Sequence, residues 1–144
     1  MEYLSTRNNK LRKSFTEVLF AGLSKEGGLF LPNTWPLIDI NRLRNKTYEE
    51  VALNIIKHFI GKDISEETLY QIINDTYKIF SHDKIAPIVT LDKNKHVLEL
   101  FYGPTLAFKD YALQFLGNLF TFCIKNKNNN ITILGATSGD TGSA

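Results

Sequence analysis

Residues 131–142, I-T-I-L-G-A-T-S-G-D-T-G, join a short apolar strand to a loop rich in glycine and hydroxyl groups. Upstream, Ala112, Leu113, Phe115, Leu116, Leu119, Phe120, Phe122 and Cys123 cover nearly the whole circumference of a helix beginning at Asp110. A helix that is apolar all round has to be buried on several sides. Further back, residues 88–91 and 97–101 read as strands around a polar turn at 92–95, a hairpin or strand pair. Strand, buried helix, apolar strand and glycine loop is the order of a parallel α/β sheet, in which sites form at the carboxyl ends of the strands. The expected fold class is α/β, with an N-terminal helical subdomain over residues 1–80 and the first part of an α/β domain over 81–144. A glycine loop of this kind opens a helix, yet only Ser143 and Ala144 follow it. One and a half α/β units leave central strands without partners on one side, so the domain is expected to be incomplete, the N-terminal piece of a longer protein.

The first 80 residues carry helical punctuation. Ser14 and Glu17 form a capping box ahead of Phe15, Val18 and Leu19, and either Gly22 or the pair Gly27 and Gly28 ends that short helix. Residues 28–32 read as a brief extended segment stopped by proline, and Trp35 with Pro36 prolongs the loop-like character. Thr47 and Glu50 form a second capping box, followed by Val51, Ala52, Ile55, Ile56 and Phe59 on one stripe and by Gly61 as the C-terminal glycine. Ser65 caps a third helix, with Glu66 and Glu67 in its first turn and Leu69, Ile72, Ile73, Thr76 and Phe80 on one face. Two amphipathic helices with so short a connection are expected to lie antiparallel.

Composition narrows the function classes. The 144 residues are 43% hydrophobic and 12% aromatic, a single domain's worth of globular chain. The 17 Lys and Arg are scattered among 15 Asp and Glu for a net charge of +2, so neither a nucleic acid nor another polyanion is expected as partner. No apolar run approaches the roughly 20 residues of a membrane span. The basic N-terminus lacks the apolar stretch of a signal peptide. Cys123 has no second cysteine to pair with, which fits a small buried thiol in a reducing compartment, so the cytoplasm is the expected location. His58, His82 and His96 are spread apart without companion cysteines at ligand spacing, and no metal site is expected.

Two places carry candidate chemistry. Residues 103–110, G-P-T-L-A-F-K-D, set Lys109 at a junction between loop and helix, flanked by Ala107 and Phe108. Such a lysine is either a surface cation with its stem on apolar neighbours or a desolvated amine able to act as a nucleophile. A helix N-terminus disfavours a cation, so a lysine there needs another reason to be present. Asp110 is expected to cap the helix. The loop 135–142 offers backbone N–H groups and the hydroxyls of Thr137, Ser138 and Thr141, either an anion site or an ordinary capping turn. It is not a Walker A loop, because Asp140 stands where the second glycine belongs and no lysine follows. Arg7 either meets an anion or sits in solvent.

Taken together, four stretches resemble the threonine synthase family: Y-L-S-T-R at 3–7, F-T-E-V-L-F-A-G-L at 15–23 with G-G-L-F-L-P at 27–32, G-P-T-L-A-F-K-D at 103–110, and G-A-T-S-G-D-T-G-S-A at 135–144. The resemblance implies the start of a parallel-sheet fold type II domain dependent on pyridoxal 5'-phosphate, a lyase converting O-phosphohomoserine and water to threonine and phosphate. It implies that Lys109 is catalytic, carrying the cofactor as a Schiff base and then moving protons at the substrate's α- and β-carbons. It places Phe108 and Asp140 beside the cofactor, and gives Thr137, Ser138, Gly139, Asp140 and Thr141 the substrate carboxylate. In that family the glycine-rich cup for the cofactor phosphate, and the residue facing the pyridine nitrogen, lie beyond residue 144, so the 144-residue chain alone is expected to be inactive. Asn8 stands where the family usually has glycine. Two other readings remain at this stage: a non-catalytic fragment or interaction module built of the helix pair and an anion-binding loop, and another β- or γ-eliminating enzyme of the same cofactor class.

Overall fold

The computed structural model describes residues 1–125 and 132–144. Helices and small sheets alternate along the chain, as expected of the α/β class, and fall into two compact units: Met1–Lys46 with Glu50–Tyr70, and Thr47–Glu49 with Gln71–Ala144.

In the first unit, β1 (Tyr3–Ser5) lies between β2 (Asn8–Lys13) and β3 (Phe30–Pro32), antiparallel to both. Leu4 faces Arg12 on one side and Leu31 on the other. The extended segment expected at 28–32 is β3, whereas β1 and β2 were not legible, because N-N-K-L-R-K has neither alternation nor β-branched residues. Helix α1 (Phe15–Ala21) begins with the expected capping box, the Glu17 N–H bonded to Ser14 Oγ and the Ser14 N–H to Glu17 Oε2, and stops at Gly22. A 3-10 helix at Ile40–Leu43, unexpected from the loop-like sequence, is capped by Asp39 Oδ1 accepting from the Asn41 N–H at 3.0 Å. Helix α2 (Tyr48–Ile60) ends at Gly61, whose φ of 68° is the left-handed conformation anticipated for its C-terminal glycine. Tyr3, Ile60, Ile64 and Leu69 form the buried apolar set here, and the Tyr3 hydroxyl donates to the Phe59 carbonyl at 2.8 Å.

Helix α3 (Glu66–Tyr77) starts at Ser65, whose Oγ accepts from the Thr68 N–H at 3.2 Å. The expected face is buried in full: Leu69, Ile72, Ile73, Thr76 and, beyond the helix end, Phe80. In the second unit Ile72, Ile73, Tyr77, Phe80, Ile85, Leu119 and Cys123 make the core. The anticipated hairpin forms from β4 (Ile88–Asp92) and β5 (Lys95–Leu98), antiparallel with Val89 opposite Val97 and exposed along both strands. Helix α4 (Asp110–Lys125) is apolar nearly all round, but within this chain only Asp110 at its start and the i, i+4 pair Leu119 and Cys123 are buried, less cover than the several sides expected. The Cys123 side chain is one of that buried pair. The polar turn expected over 125–130 falls outside the described residues after Lys125, as does Ile131. Residues 132–134 take no regular structure, with Leu134 96% exposed. A strand satisfies its backbone only through neighbours, and none reaches this segment among the described residues.

The start of α1 depends on a residue far along the chain. The Thr16 N–H donates to Asp63 Oδ2 at 2.7 Å, so Asp63 acts as a remote cap. Desolvation pushes the Asp63 carboxyl up, but the bonds from Thr16 and Ser14 outweigh it and hold the group below the usual carboxylate range. A depressed folded value means the stabilisation is complete above about pH 4 and disappears as pH falls through the lower folded value. Asp63→Ala is expected to cost about 1 kcal/mol at pH 7, and the deficit should vanish under acid conditions. Urea unfolding at both pH values measures it.

Candidate functional site

The loop between β5 and α4 is built around one carboxylate. Asp110, fully buried, accepts from the Thr105 N–H at 2.9 Å and from the Thr105 hydroxyl at 2.8 Å. The expected helix cap is thereby corrected: Asp110 is the first residue of α4, and its side chain turns back to close the loop instead of meeting the helix's own N–H groups. The backbone of Gly103 runs against this carboxyl so closely that a Cβ there would lie 2.4 Å from the Asp110 Cβ. Leu106, 70% exposed, has a φ of 62°, a left-handed conformation costing a leucine about 1–2 kcal/mol. The Asp110 clamp and the Leu106 N–H to Gly103 carbonyl bond, at 3.1 Å, hold it there.

Clamping the loop puts Lys109 at the N-cap of α4, where its carbonyl accepts from the Leu113 N–H at 2.9 Å. Ser, Thr, Asp or Asn would serve that position better, and the positive end of the helix repels an ammonium. The lysine is present at a local cost. Its side chain is 26% exposed, with Nζ 4.6 Å from the centroid of the Phe108 ring, itself largely exposed. Nζ donates to Asp140 Oδ2 in an ion pair.

Asp140 opens the four-residue helix α5 (Asp140–Ser143) at the end of the glycine loop. Its Oδ1 accepts from the Thr141 N–H at 2.9 Å. The hydrogen bond from Lys109 is the main reason its carboxyl lies below the usual range, against slight desolvation. Gly139 has a φ of 130°, a conformation that excludes most side chains. The Gly139 N–H is 3.3 Å from Thr137 Oγ1, and Gly142 packs on the same hydroxyl. Gln114 Nε2 donates to the Ala144 carbonyl at 2.8 Å, tying the end of the loop to α4.

Lys109, Phe108 and Asp140 are therefore brought together, with Thr137, Gly139 and Thr141 hydrogen-bonded within the same loop. Ser138 lies in that exposed loop. An amine beside a ring face and opposite a carboxylate can attack a carbonyl carbon. Arg7 is put to local use, its guanidinium donating to the Glu26 carbonyl at 2.9 Å. Gly103, Thr105 and Leu106 shape the site without having been singled out individually. An aspartate just after the lysine was the available signal, whereas the positive φ of a leucine leaves none. An open groove of about 460 Å³ in the first unit, lined partly by Leu11, Lys13, Leu23 and Phe30, contains none of the site residues. Among the described residues no cluster of three His, Cys, Asp or Glu side chains is gathered for a metal, and no helix is long and apolar enough to cross a membrane.

A clamped loop presenting an amine to a carboxylate in a glycine loop defines an amine-centred site on an α/β framework. The family model described as "Threonine synthase N terminus" matches residues 2–77. The threonine synthase of Pseudomonas aeruginosa is 42% identical over 147 residues, covering 100% of this chain and 31% of that protein. That of Saccharomyces cerevisiae is 42% identical over 160 residues, covering 99% and 31%. The crystal structure of PLP-bound threonine synthase from Brucella melitensis superposes with a TM-score of 0.94 at 43% identity, covering 99% of this chain and 31% of that one. The Escherichia coli threonine synthase structure gives 0.87 at 32% identity, covering 99% and 32%. The chain belongs to the threonine synthase family, and it spans about a third of the length of these relatives.

Removing the clamp should be felt in stability. Asp110→Ala leaves the partly buried Thr105 donors without their acceptor, at about 1 kcal/mol or more, and Gly103→Ala forces the Asp110 side chain to move. Both are expected to lower Tm by several degrees, read by circular dichroism, whereas Phe108→Ala, at an exposed ring, should change it little.

Proposed function

We propose that this chain contributes the reactive amine and substrate loop of a threonine synthase, which converts O-phosphohomoserine and water to threonine and phosphate. The observation that carries the reading is Lys109, held at a helix N-terminus where a cation is disfavoured and paired there with Asp140 of the glycine loop.

The residues present fit pyridoxal 5'-phosphate in the part of the site that this chain forms. Lys109 supplies a primary amine in reach of solvent, Phe108 an apolar face beside it, and Asp140 an ionised carboxylate opposite it. When bound, the cofactor supplies an electron sink for the charge that develops at the substrate carbons. Lys109 is the residue that attaches it and afterwards moves protons at the α- and β-carbons. The hydroxyls of Thr137, Ser138 and Thr141 and the N–H groups of the loop, Gly139 included, bind the substrate carboxylate. For this to happen, the N–H of Thr141 exchanges Asp140 Oδ1, and that of Gly139 exchanges Thr137 Oγ1, for the incoming carboxylate. Phosphate leaves from the γ-carbon and water adds at the β-carbon.

Residues 1–80 act as the N-terminal subdomain and 81–144 as the first part of the cofactor-binding domain, and the protein works in the cytoplasm on a small-molecule substrate.

The test is phosphate release from O-phosphohomoserine by the full-length protein, with serine, threonine and O-acetylserine as competing substrates. O-phosphohomoserine should be turned over and the others poorly. Lys109→Arg, which keeps the charge but not the nucleophile, should lower kcat by at least about 10³-fold. Turnover undiminished in that variant would refute the role of Lys109, and preference for O-acetylserine would refute the substrate.

A further inference from the structure

Two aspartates flank the amine of Lys109, in sequence and in space, and they do different jobs. Asp110 spends both oxygens on Thr105, and its burial leaves it no reach toward the lysine head. Asp140 divides its carboxylate between the Lys109 amine, through Oδ2, and the Thr141 N–H, through Oδ1. It is half-exposed and stands at the start of a four-residue helix, so it contributes little to the core. The geometry points to Asp140 as a positioning residue: in the cofactor-free chain it latches the Lys109 amine to the glycine loop, and this latch has to open before the amine can attack a carbonyl compound.

Three observations carry this. Lys109 occupies an N-cap where the helix opposes a cation, so a counter-charge is needed, and Asp140 provides it. The same carboxylate holds the Thr141 N–H, so one side chain ties amine and loop together. The third is the Gln114 bond to the Ala144 carbonyl, which anchors the far end of that loop on the helix carrying the lysine, so the two partners are kept in reach of each other by a link that does not involve the ion pair. Opening the latch separates the ammonium from Asp140, which stays ionised; the amine attacks only after it has, in a separate step, given its proton to water. The inference rests on the reading of Lys109 as the amine that attaches the cofactor, but it concerns a step before attachment.

The experiment is competitive labelling of the cofactor-free full chain with trace acetic anhydride, a neutral amine reagent. Peptide mass spectrometry gives a rate for each lysine, with the exposed Lys84 and Lys93 as internal references. In Asp140→Asn the Lys109 rate should rise roughly two- to five-fold relative to the references, the worth of a partly exposed ion pair. Asp140→Glu, which restores the charge, should return it most of the way. Circular dichroism establishes that both variants are folded. An unchanged Lys109 rate in Asp140→Asn would overturn the latch, and so would equal acceleration in both variants, since that would assign the effect to side-chain shape. These rates are read without cofactor or substrate, so their failure leaves the proposed activity standing, and failure of the activity leaves the latch standing.

Discussion

A carboxylate with no exposure to water must find its hydrogen bonds inside the protein, and Asp110 finds them on Thr105. The rest of the site depends on that pair. It folds residues 103–110 back on the start of α4, permits the left-handed Leu106, and requires a glycine at 103 because no Cβ fits beside the carboxyl. Lys109 is delivered as a consequence, at a position where neither capping preference nor helix electrostatics favours it. Local rules are broken at Lys109 and at the left-handed Leu106 and satisfied around them, the pattern expected of a site kept for chemistry.

The helix beneath the lysine is held by a second set of hydrogen bonds, buried or partly buried. Thr76, fully buried, donates to the Ile72 carbonyl at 2.7 Å and accepts from Asn118 Nδ2 at 2.9 Å, joining α3 to α4. The Tyr77 hydroxyl donates to the Tyr111 carbonyl at 2.8 Å, one residue past Asp110, and the Tyr111 hydroxyl donates to the Ile85 carbonyl at 2.7 Å. Burial raises both phenols above their ordinary values, most strongly Tyr77, so they remain donors throughout the working pH range. Rings of Tyr48, Tyr77, Phe80 and Tyr111 meet edge to face with centroids 4.7 to 6.4 Å apart. Such contacts fix the first turn of α4 from below, while the Asp110 clamp fixes it from above.

Much of this was legible in the sequence where the signals are local. Caps at Ser14 and Ser65, the terminal glycine at 61, the buried face of α3 and the β4–β5 hairpin all follow from short-range patterns, and all are present. Lys109 and Asp140 were singled out by motif, and the structure joins them. What escaped depends on long-range pairing. The strands β1 and β2 have no alternation to betray them, and the remote cap Asp63 lies 47 residues from its helix. The role of Asp110 was misread because a carboxylate at a helix start looks like a cap whether it turns toward the helix or away from it. The circumferential apolarity of α4 promised burial on several sides, and this chain buries only Asp110 at its start and the pair Leu119 and Cys123.

The central claim is that Lys109 is the amine the whole arrangement presents. It is tested most directly by loading the full-length protein with pyridoxal phosphate, reducing with borohydride and mapping the modified peptide. The account predicts a visible cofactor band that the reduction abolishes and a single adduct on Lys109. An adduct on any other lysine, or none at all, would contradict it.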